Sequence, residues 1–340
     1  MFLKSSLSLK SSLSLSSLLL GLGISLSSFA ADTSSSSITT YIINGNTVST
    51  ADYPYMALLI HNQIAQESKI TSFCGATLLN ERYVLTAAHC LYTSEPSQFS
   101  DLEVVFNVDQ IQNDAFDQTN MIAAEAVYYP DDYQNTGNFD NDIAIIKLAE
   151  PISSLVVEPN DYVQLTANED YQLDGEVFKV LGYGKTGPDS KSSNTLQAAQ
   201  VEYAQPELCN QSFESLTLSD KQICVQGKVL NNLQTGVCGG DSGGPLLYEE
   251  DGVLHQVGIV SFGPKDCGNT DISVQSVYTK VSGYEGWIAG VLNGTEAAKF
   301  DVTEQVNNNN TAESSSSGGS LGSGAFMLLC LLGLFRKNFK

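Results

Sequence analysis

Between residues 42 and 290 the chain is cut into short apolar runs, rich in Val, Ile, Tyr and Phe and separated by clusters of Gly, Asn, Asp and Pro. Runs at 55–60, 83–86, 102–108, 143–148, 177–183, 253–262 and 277–281 have strand length and strand composition, and no helical period links them. Many short strands of this kind define an all-β barrel or sandwich and argue against a parallel α/β sheet. One helix is predicted near the end, where Tyr284, Trp287, Ile288, Val291 and Leu292 recur at spacings of three and four. After Asn293 the sequence turns polar and Asn/Ser-rich, which reads as a linker over 293–320.

Charge narrows the partners. The chain has 16 Lys+Arg against 38 Asp+Glu, a net charge of −22, and its first 30 and last 20 residues hold five of those basic residues and no acid. The middle is therefore still more acidic than the whole. Such a surface repels phosphate backbones, which excludes nucleic acid as a partner and docking through a basic patch on anionic lipid. The 42% hydrophobic content and nine prolines belong to a folded chain.

Both ends read as sorting segments. Residues 1–30 carry Lys4 and Lys10, an apolar stretch from Leu18 to Leu26, and Ser28, Phe29 and Ala30, a secretory signal cut after Ala30. At the other end, Gly318 and Gly319 precede an apolar run over 321–335 and a basic end with Arg336, Lys337 and Lys340. Fifteen helical residues reach only about 22 Å, short of a bilayer core of about 30 Å, so a lasting transmembrane helix fits poorly. The order resembles the GlyGly-CTERM sorting signal of Gram-negative bacteria. That resemblance implies a C-terminal processing protease of the rhombosortase type, type II secretion machinery, and a product at the cell surface or outside the cell; the alternative is an ordinary anchor.

Six cysteines lie in the exported middle, Cys74, Cys90, Cys209, Cys224, Cys238 and Cys267, while Cys330 falls in the apolar tail. An even set in an oxidising compartment reads as three disulfides, with 15 connectivities open. No close CxxC pair indicates zinc.

Three motifs carry chemistry. Thr86, Ala87, Ala88, His89 and Cys90 follow an apolar run, and His89 differs in this from His61 and His255, which stand in no motif and read as structural. Asp140, Asn141 and Asp142 open the strongly apolar run 143–148, where a buried acid needs a partner. Gly239, Gly240, Asp241, Ser242, Gly243, Gly244 and Pro245 form a glycine-dense turn that brings backbone close to a substrate and presents one serine. Alone that turn is an ordinary turn cluster; with a histidine and an aspartate ahead of it, it is more.

Together these motifs resemble the chymotrypsin/trypsin (S1) family of serine peptidases over residues 42–292. The resemblance implies two antiparallel six-stranded β-barrels, about 42–155 and 156–292, with the active site in the cleft between them and a C-terminal helix outside. It implies Ser242 as nucleophile, His89 as general base and acid, Asp142 as the acid orienting the imidazole, and the N–H groups of Gly240 and Ser242 as an oxyanion hole. Ser261, Phe262 and Gly263 match the strand to which extended substrate adds, with Phe262, like Tyr183, standing where tryptophan is usual. The family pattern pairs Cys74 with Cys90, Cys209 with Cys224, and Cys238 with Cys267.

Activation and specificity follow from the same resemblance. Ile42, Ile43, Asn44 and Gly45 match a mature N-terminus whose freed ammonium pairs with a buried acid, here Asp241, leaving 31–41 as a propeptide. Tyr41 precedes the cut in place of Arg or Lys, so the activating protease is not trypsin-like, or is the enzyme itself. Gly236 lies at the pocket base where enzymes that cleave after Arg or Lys carry aspartate, Gly263 leaves one wall open, and Ser276 stands on the other. The expected substrates are proteins or peptides cut after neutral residues, small to medium aliphatics first; Asp271, in a long stretch before Val277, is the one acid able to add a charge. A catalytically silent binding protein on the same fold is the alternative, disfavoured because all three motif residues are kept. No cofactor is needed; Asp109, Asn113, Asp114 and Asp117 offer oxygens for a structural calcium ion, but in so acidic a chain this loop reads first as solvated surface.

Overall fold

The computed structural model describes residues 42–303, apart from 64–68, 112–115, 154–156, 188, 214–216, 269 and 271–274. The signal, the propeptide, the Gly318–Gly319 region and the apolar tail lie outside the described residues, as does Asp271. Among the described residues no helix is long and apolar enough to cross a membrane.

The first barrel is built from β1 (Met56–Gln63), β2 (Lys69–Asn80), β3 (Tyr83–Thr86), β4 (Leu102–Phe106), β5 (Met121–Tyr128) and β6 (Ala144–Leu148). They pair antiparallel in the order β4-β1-β2-β3-β6-β5, and β5 pairs back with β4 to close a barrel. The second barrel is built from β7 (Val177–Gly182), β8 (Gln197–Ala204), β9 (Gln222–Gln226), β10 (Pro245–Glu250), β11 (Val253–Phe262) and β12 (Gln275–Lys280). Their order β7-β8-β9-β12-β11-β10 closes likewise through β10 and β7. The all-β expectation of two six-stranded antiparallel barrels is thus met. Closure leaves no long open edge, and this explains the unbroken apolar runs: in β6, Ala144, Ile145 and Ile146 are all fully buried, one face filling the barrel and the other covered by neighbouring chain.

Polar bonds stitch the barrels together. Gly75 N donates to Ser242 O (2.8 Å), Thr77 Oγ1 to Gln256 Oε1 (2.6 Å), and Thr279 Oγ1 to Asp142 O (2.8 Å). Outside the barrels, α1 (Pro206–Ser212) carries Cys209, and α2 (Glu285–Leu292), at the predicted place, buries Ile288 and Val291. Disulfides join Cys74 to Cys90, Cys209 to Cys224, and Cys238 to Cys267, the pairs the family resemblance implies.

Two expected boundaries need correction. The linker expected from residue 293 begins later, because β13 (Phe300–Asp301) pairs with β5 of the first barrel and Phe300 and Val302 are buried in its core. Lys299 adds an ion pair with Asp131 and lies over the Tyr129 ring. The barrel ranges 42–155 and 156–292 are likewise too simple: Asn46–Thr47 pairs with β8 of the second barrel, so each end of the domain is built into the barrel farther away in sequence. Burial of Ile42, Ile43, Phe300 and Val302 supplies the reason, since each finds its apolar surroundings across the molecule.

Candidate active site

His89 sits in a 3-10 turn, Ala88–Cys90, just past β3. Its backbone N–H donates to Asp142 Oδ1 (2.8 Å) and its ring Nδ1 lies 2.8 Å from Asp142 Oδ2. A carboxylate only accepts there, so Nδ1 carries the proton and Nε2 is left for another partner. Asp142 is fully buried, and Ser261 Oγ gives it a third hydrogen bond at 2.5 Å. Three donors offset what would otherwise be a costly burial. Sequence reasoning placed Ser261 only on the substrate strand; its hydroxyl also holds the acid, which depends on the register of β11 and leaves no mark in the sequence. Thr279 on the Asp142 carbonyl and Tyr284, whose hydroxyl donates to Asn141 Oδ1 (2.9 Å), are further supports that the motifs did not reveal.

Ser242 stands half-buried on a turn pinned to both barrels. Gly75 N reaches its carbonyl from β2, while Gly243 N donates to Val260 O (3.0 Å) on β11. Gly243 has φ +78°, and a Cβ there would overlap Gly75 O and Thr86 Oγ1, the latter at the end of β3 just ahead of the His89 turn. Gly240 (φ +102°) leaves only 3.0 Å between a Cβ and the Gly184 Cα. Glycine is required at both, and the close approach they permit brings the serine turn against the end of β3.

Behind this turn Asp241 is fully buried, accepting hydrogen bonds from Gly184 N (2.8 Å) and Cys238 N (2.9 Å). Burial pushes its carboxyl up to about 7, the two backbone bonds opposing this only in part. Ile42 packs fully buried among second-barrel residues that include Val237 and Tyr278, and Ile43 bridges to Gly236. Asn44 clasps the segment by donating to Leu233 O (2.8 Å).

Beside Ser242 opens a cavity of about 260 Å³, lined among others by Val237, Ser261, Phe262, Gly263 and Lys265. A Cβ on either Gly236 or Gly263 would lie 3.6 Å from Ser276 Oγ, so these three predicted pocket residues do converge. Lys265 is the only charge among the described lining residues. An aromatic shelf that the sequence did not announce runs alongside: Phe139 meets the His89 ring edge-on (6.1 Å) and stacks on Phe262 (5.5 Å), which Phe213 meets edge-on (5.3 Å). The place of Phe139 three residues before Asp142 was the available signal.

Of the residues suggested for calcium, the two described ones, Asp109 and Asp117, are engaged by neighbouring N–H groups. Asp109 Oδ1 accepts from Thr50 N (2.7 Å) across 59 residues of sequence, Asp117 Oδ1 caps its own turn at Thr119 N (3.0 Å), and Asn113 and Asp114 lie outside the described residues. Cys74, His89 and Cys90 come within metal-ligand spacing, yet both cysteines are tied in one disulfide and offer no thiolate.

Two closed β-barrels, with a histidine bonded to a buried aspartate and a glycine-flanked serine turn tied to both barrels, define the chymotrypsin-like class of fold. The trypsin family profile matches residues 42–288, and the chain belongs to the trypsin family. It is 34% identical over 257 residues to "CLIP domain-containing serine protease B15" of Anopheles gambiae, covering 71% of this chain and 66% of that protein. With "Urokinase-type plasminogen activator" of Gallus gallus it shares 30% identity over 260 residues, 74% of this chain and 57% of that one. "Serine protease ea" of Drosophila melanogaster matches at 30% over 271 residues, 71% and 64% respectively. The chain therefore spans less than two thirds of the length of these relatives.

Proposed function

We propose that this chain is an exported serine endopeptidase, made as a zymogen and cutting protein or peptide substrates after neutral residues. The observation that carries the reading is Asp142, a fully buried carboxylate whose hydrogen bonds come from His89 N, His89 Nδ1 and Ser261 Oγ, beside a cavity at Ser242. An acid held this way fixes one imidazole tautomer and stabilises the protonated ring, which a serine nucleophile at neutral pH requires.

In the proposed reaction Ser242 Oγ attacks the substrate carbonyl and its proton passes to His89 Nε2. The developing oxyanion accepts hydrogen bonds from the N–H groups of Gly240 and Ser242, where losing one donor typically costs about 10²–10³ in rate. His89 then gives its proton to the departing amine, and a water, activated by the same nitrogen, hydrolyses the acyl-enzyme. A pocket with no acid among its described lining residues disfavours Arg or Lys at the cleaved position, since a buried cation without a counter-charge costs several kcal/mol.

Activation in this scheme is cleavage after Tyr41, which frees the Ile42 amine to pair with Asp241. Removal of the signal after Ala30, processing near Gly318 and Gly319, and delivery to the surface or medium of a Gram-negative-type cell belong to the same proposal; an intact mass of the mature protein tests them by locating both termini. The catalytic reading is tested by labelling with a fluorophosphonate: wild-type mature enzyme should be labelled at Ser242, and Ser242→Ala should neither label nor hydrolyse peptide while keeping its fold. Wild-type turnover in that variant would sink it.

A further inference from the structure

The domain between the two sorting segments holds eleven basic residues, and their placement is uneven. Arg82, Lys147, Lys228, Lys280 and Lys299 are engaged in ion pairs with carboxylates, and Lys179 and Lys221 lie over tyrosine rings. Of the four with neither kind of contact among the described residues, Lys265 and Lys185 border the cleft and Lys191 adjoins Ser192, which packs on Gly240. Lys265 lines the cavity beside Ser242. Lys185 donates its backbone N–H to Gly239 O (2.9 Å) and pairs with Ser192, whose Oγ lies 3.3 Å from where a Gly240 Cβ would stand. Lys185 and Ser192, the latter preceded by Lys191, therefore pack directly on the backbone leading into Ser242. All three lysines are exposed, and among the described residues the exposed acids near them in sequence, Asp189 and Asp266, form no ion pair with them.

In a chain of net charge −22, three ammonium groups unpaired among the described residues, against the two carboxylates of Asp189 and Asp266, make this neighbourhood less negative than the rest of the surface. An extended substrate adding to the 261–263 edge advances about 3.3 Å per residue, so with the cleaved residue at Ser261 the third residue before the bond lies opposite Gly263, two positions from Lys265. Lys185 Cδ lies 4.0 Å from where a Gly239 Cβ would stand, and Gly239 lines the same cavity as Ser242 and Lys265, so the segment carrying Lys185 and Lys191 is the one we assign to the substrate beyond the cut.

We propose that this enzyme selects segments bearing acidic side chains on both sides of a neutral cleaved residue, with Lys265 receiving the upstream carboxylate and Lys185 and Lys191 the downstream one. The proposal rests on the peptidase reading above and adds the substrate class. The lysines act as positioning residues through charge and take no part in bond breaking.

The test uses mature enzyme and peptides of one sequence, with a fixed neutral cleaved residue and Glu, Gln or Lys at the third position before the bond or the second after it. Glu should exceed Gln in kcat/KM by about two- to five-fold per position, the size of an exposed charge pair, and Lys should fall below Gln. The advantage should shrink toward unity when the salt is raised to about 0.5 M, where charges act over only a few ångströms. Within each variant the Glu/Gln ratio is the readout: Lys265→Gln should erase it upstream only, and Lys185→Gln with Lys191→Gln downstream only. Equal rates for Glu and Gln in the wild type, or ratios unchanged in the variants, would overturn the proposal while the Gln peptide is still cut. If the Gln peptide is not cut and fluorophosphonate does not label, the peptidase reading itself has failed.

Discussion

Replacing Asp241 by asparagine in the uncut precursor isolates the energetic cost of the activation switch. In the uncut chain the nitrogen of Ile42 is an amide, and among the described residues the fully buried carboxyl of Asp241 has Gly184 N and Cys238 N as its donors. Its pKa is pushed from 3.8 up to about 7 by burial. A folded-state value above that of the unfolded chain means that the site's contribution is intact below about pH 4 and is lost as pH rises through about 7. Roughly three pKa units at about 1.4 kcal/mol each give about 4 kcal/mol of precursor stability lost across that window. Asparagine mimics the protonated carboxyl, keeping one acceptor and turning an N–H₂ toward a backbone donor, so it should remove this pH dependence at a roughly constant cost of about 1–3 kcal/mol. Urea unfolding of the precursor from about pH 4 to 8, in a Ser242→Ala background that blocks self-cleavage, measures the difference made by Asp241→Asn and cancels the slope from the other acids. That difference should change by about 4 kcal/mol over the window. In the proposed mature form, with the Ile42 ammonium paired to Asp241, the carboxylate form should be the stabler one at neutral pH. A difference between the two precursors that stays constant across the whole pH range would refute the reasoning.

Three further outcomes follow from particular contacts. Ser261→Ala removes one of three donors to Asp142, which leaves more negative charge facing the imidazole; kcat should fall about ten-fold or more with KM little changed, and the acid limb of the pH–rate profile should move to higher pH. An unshifted limb would assign Ser261 to substrate contact alone. Gly263→Val fits its Cβ 3.6 Å from Ser276 Oγ and 3.9 Å from Val237 Cγ2 and fills the cavity with two methyls, so cleavage after Phe should drop by about 10–200-fold relative to Ala in a matched peptide set. Phe300→Ala empties a buried site stacked 5.8 Å from Phe99 and should cost about 3 kcal/mol in urea unfolding, whereas a true linker residue would cost almost nothing.

Which parts of this were legible follows from how each is held. The run 143–148 announced its strand because both faces are buried, so burial alone wrote it into the composition. Gln197–Ala204 was far harder to read: Gln, Ala and Glu are poor strand formers, and the segment is extended because β7 and β9 flank it on both sides. Phe300–Asp301 hides in a polar stretch, since two residues suffice when an existing barrel strand supplies the partner. At the site, His89, Asp142 and Ser242 stood out because each needs a special neighbourhood written nearby in sequence. Phe139, Phe213 and the second role of Ser261 did not, because they arise where separate segments meet.

The crossing of the two chain ends bears on the site itself. Asp142 comes from the first barrel and takes donors from Ser261 and Thr279 of the second, while Ser242 comes from the second and is bonded through its carbonyl by Gly75 of the first. A small rotation of one barrel on the other would break all of these together, and hydrogen bonds of about 1 kcal/mol net each cannot resist it without packing behind them. That packing is supplied from both ends: Ile42 and Ile43 bury against the second barrel ahead of strands of the first, and Phe300 and Val302 bury in the first after the last helix of the second. Each end is thus a strap over the barrel junction. In the proposed activation, cutting before Ile42 would alter one strap and leave the other, so Asp241 and its turn would be reset while the relation between His89 and Asp142 is kept.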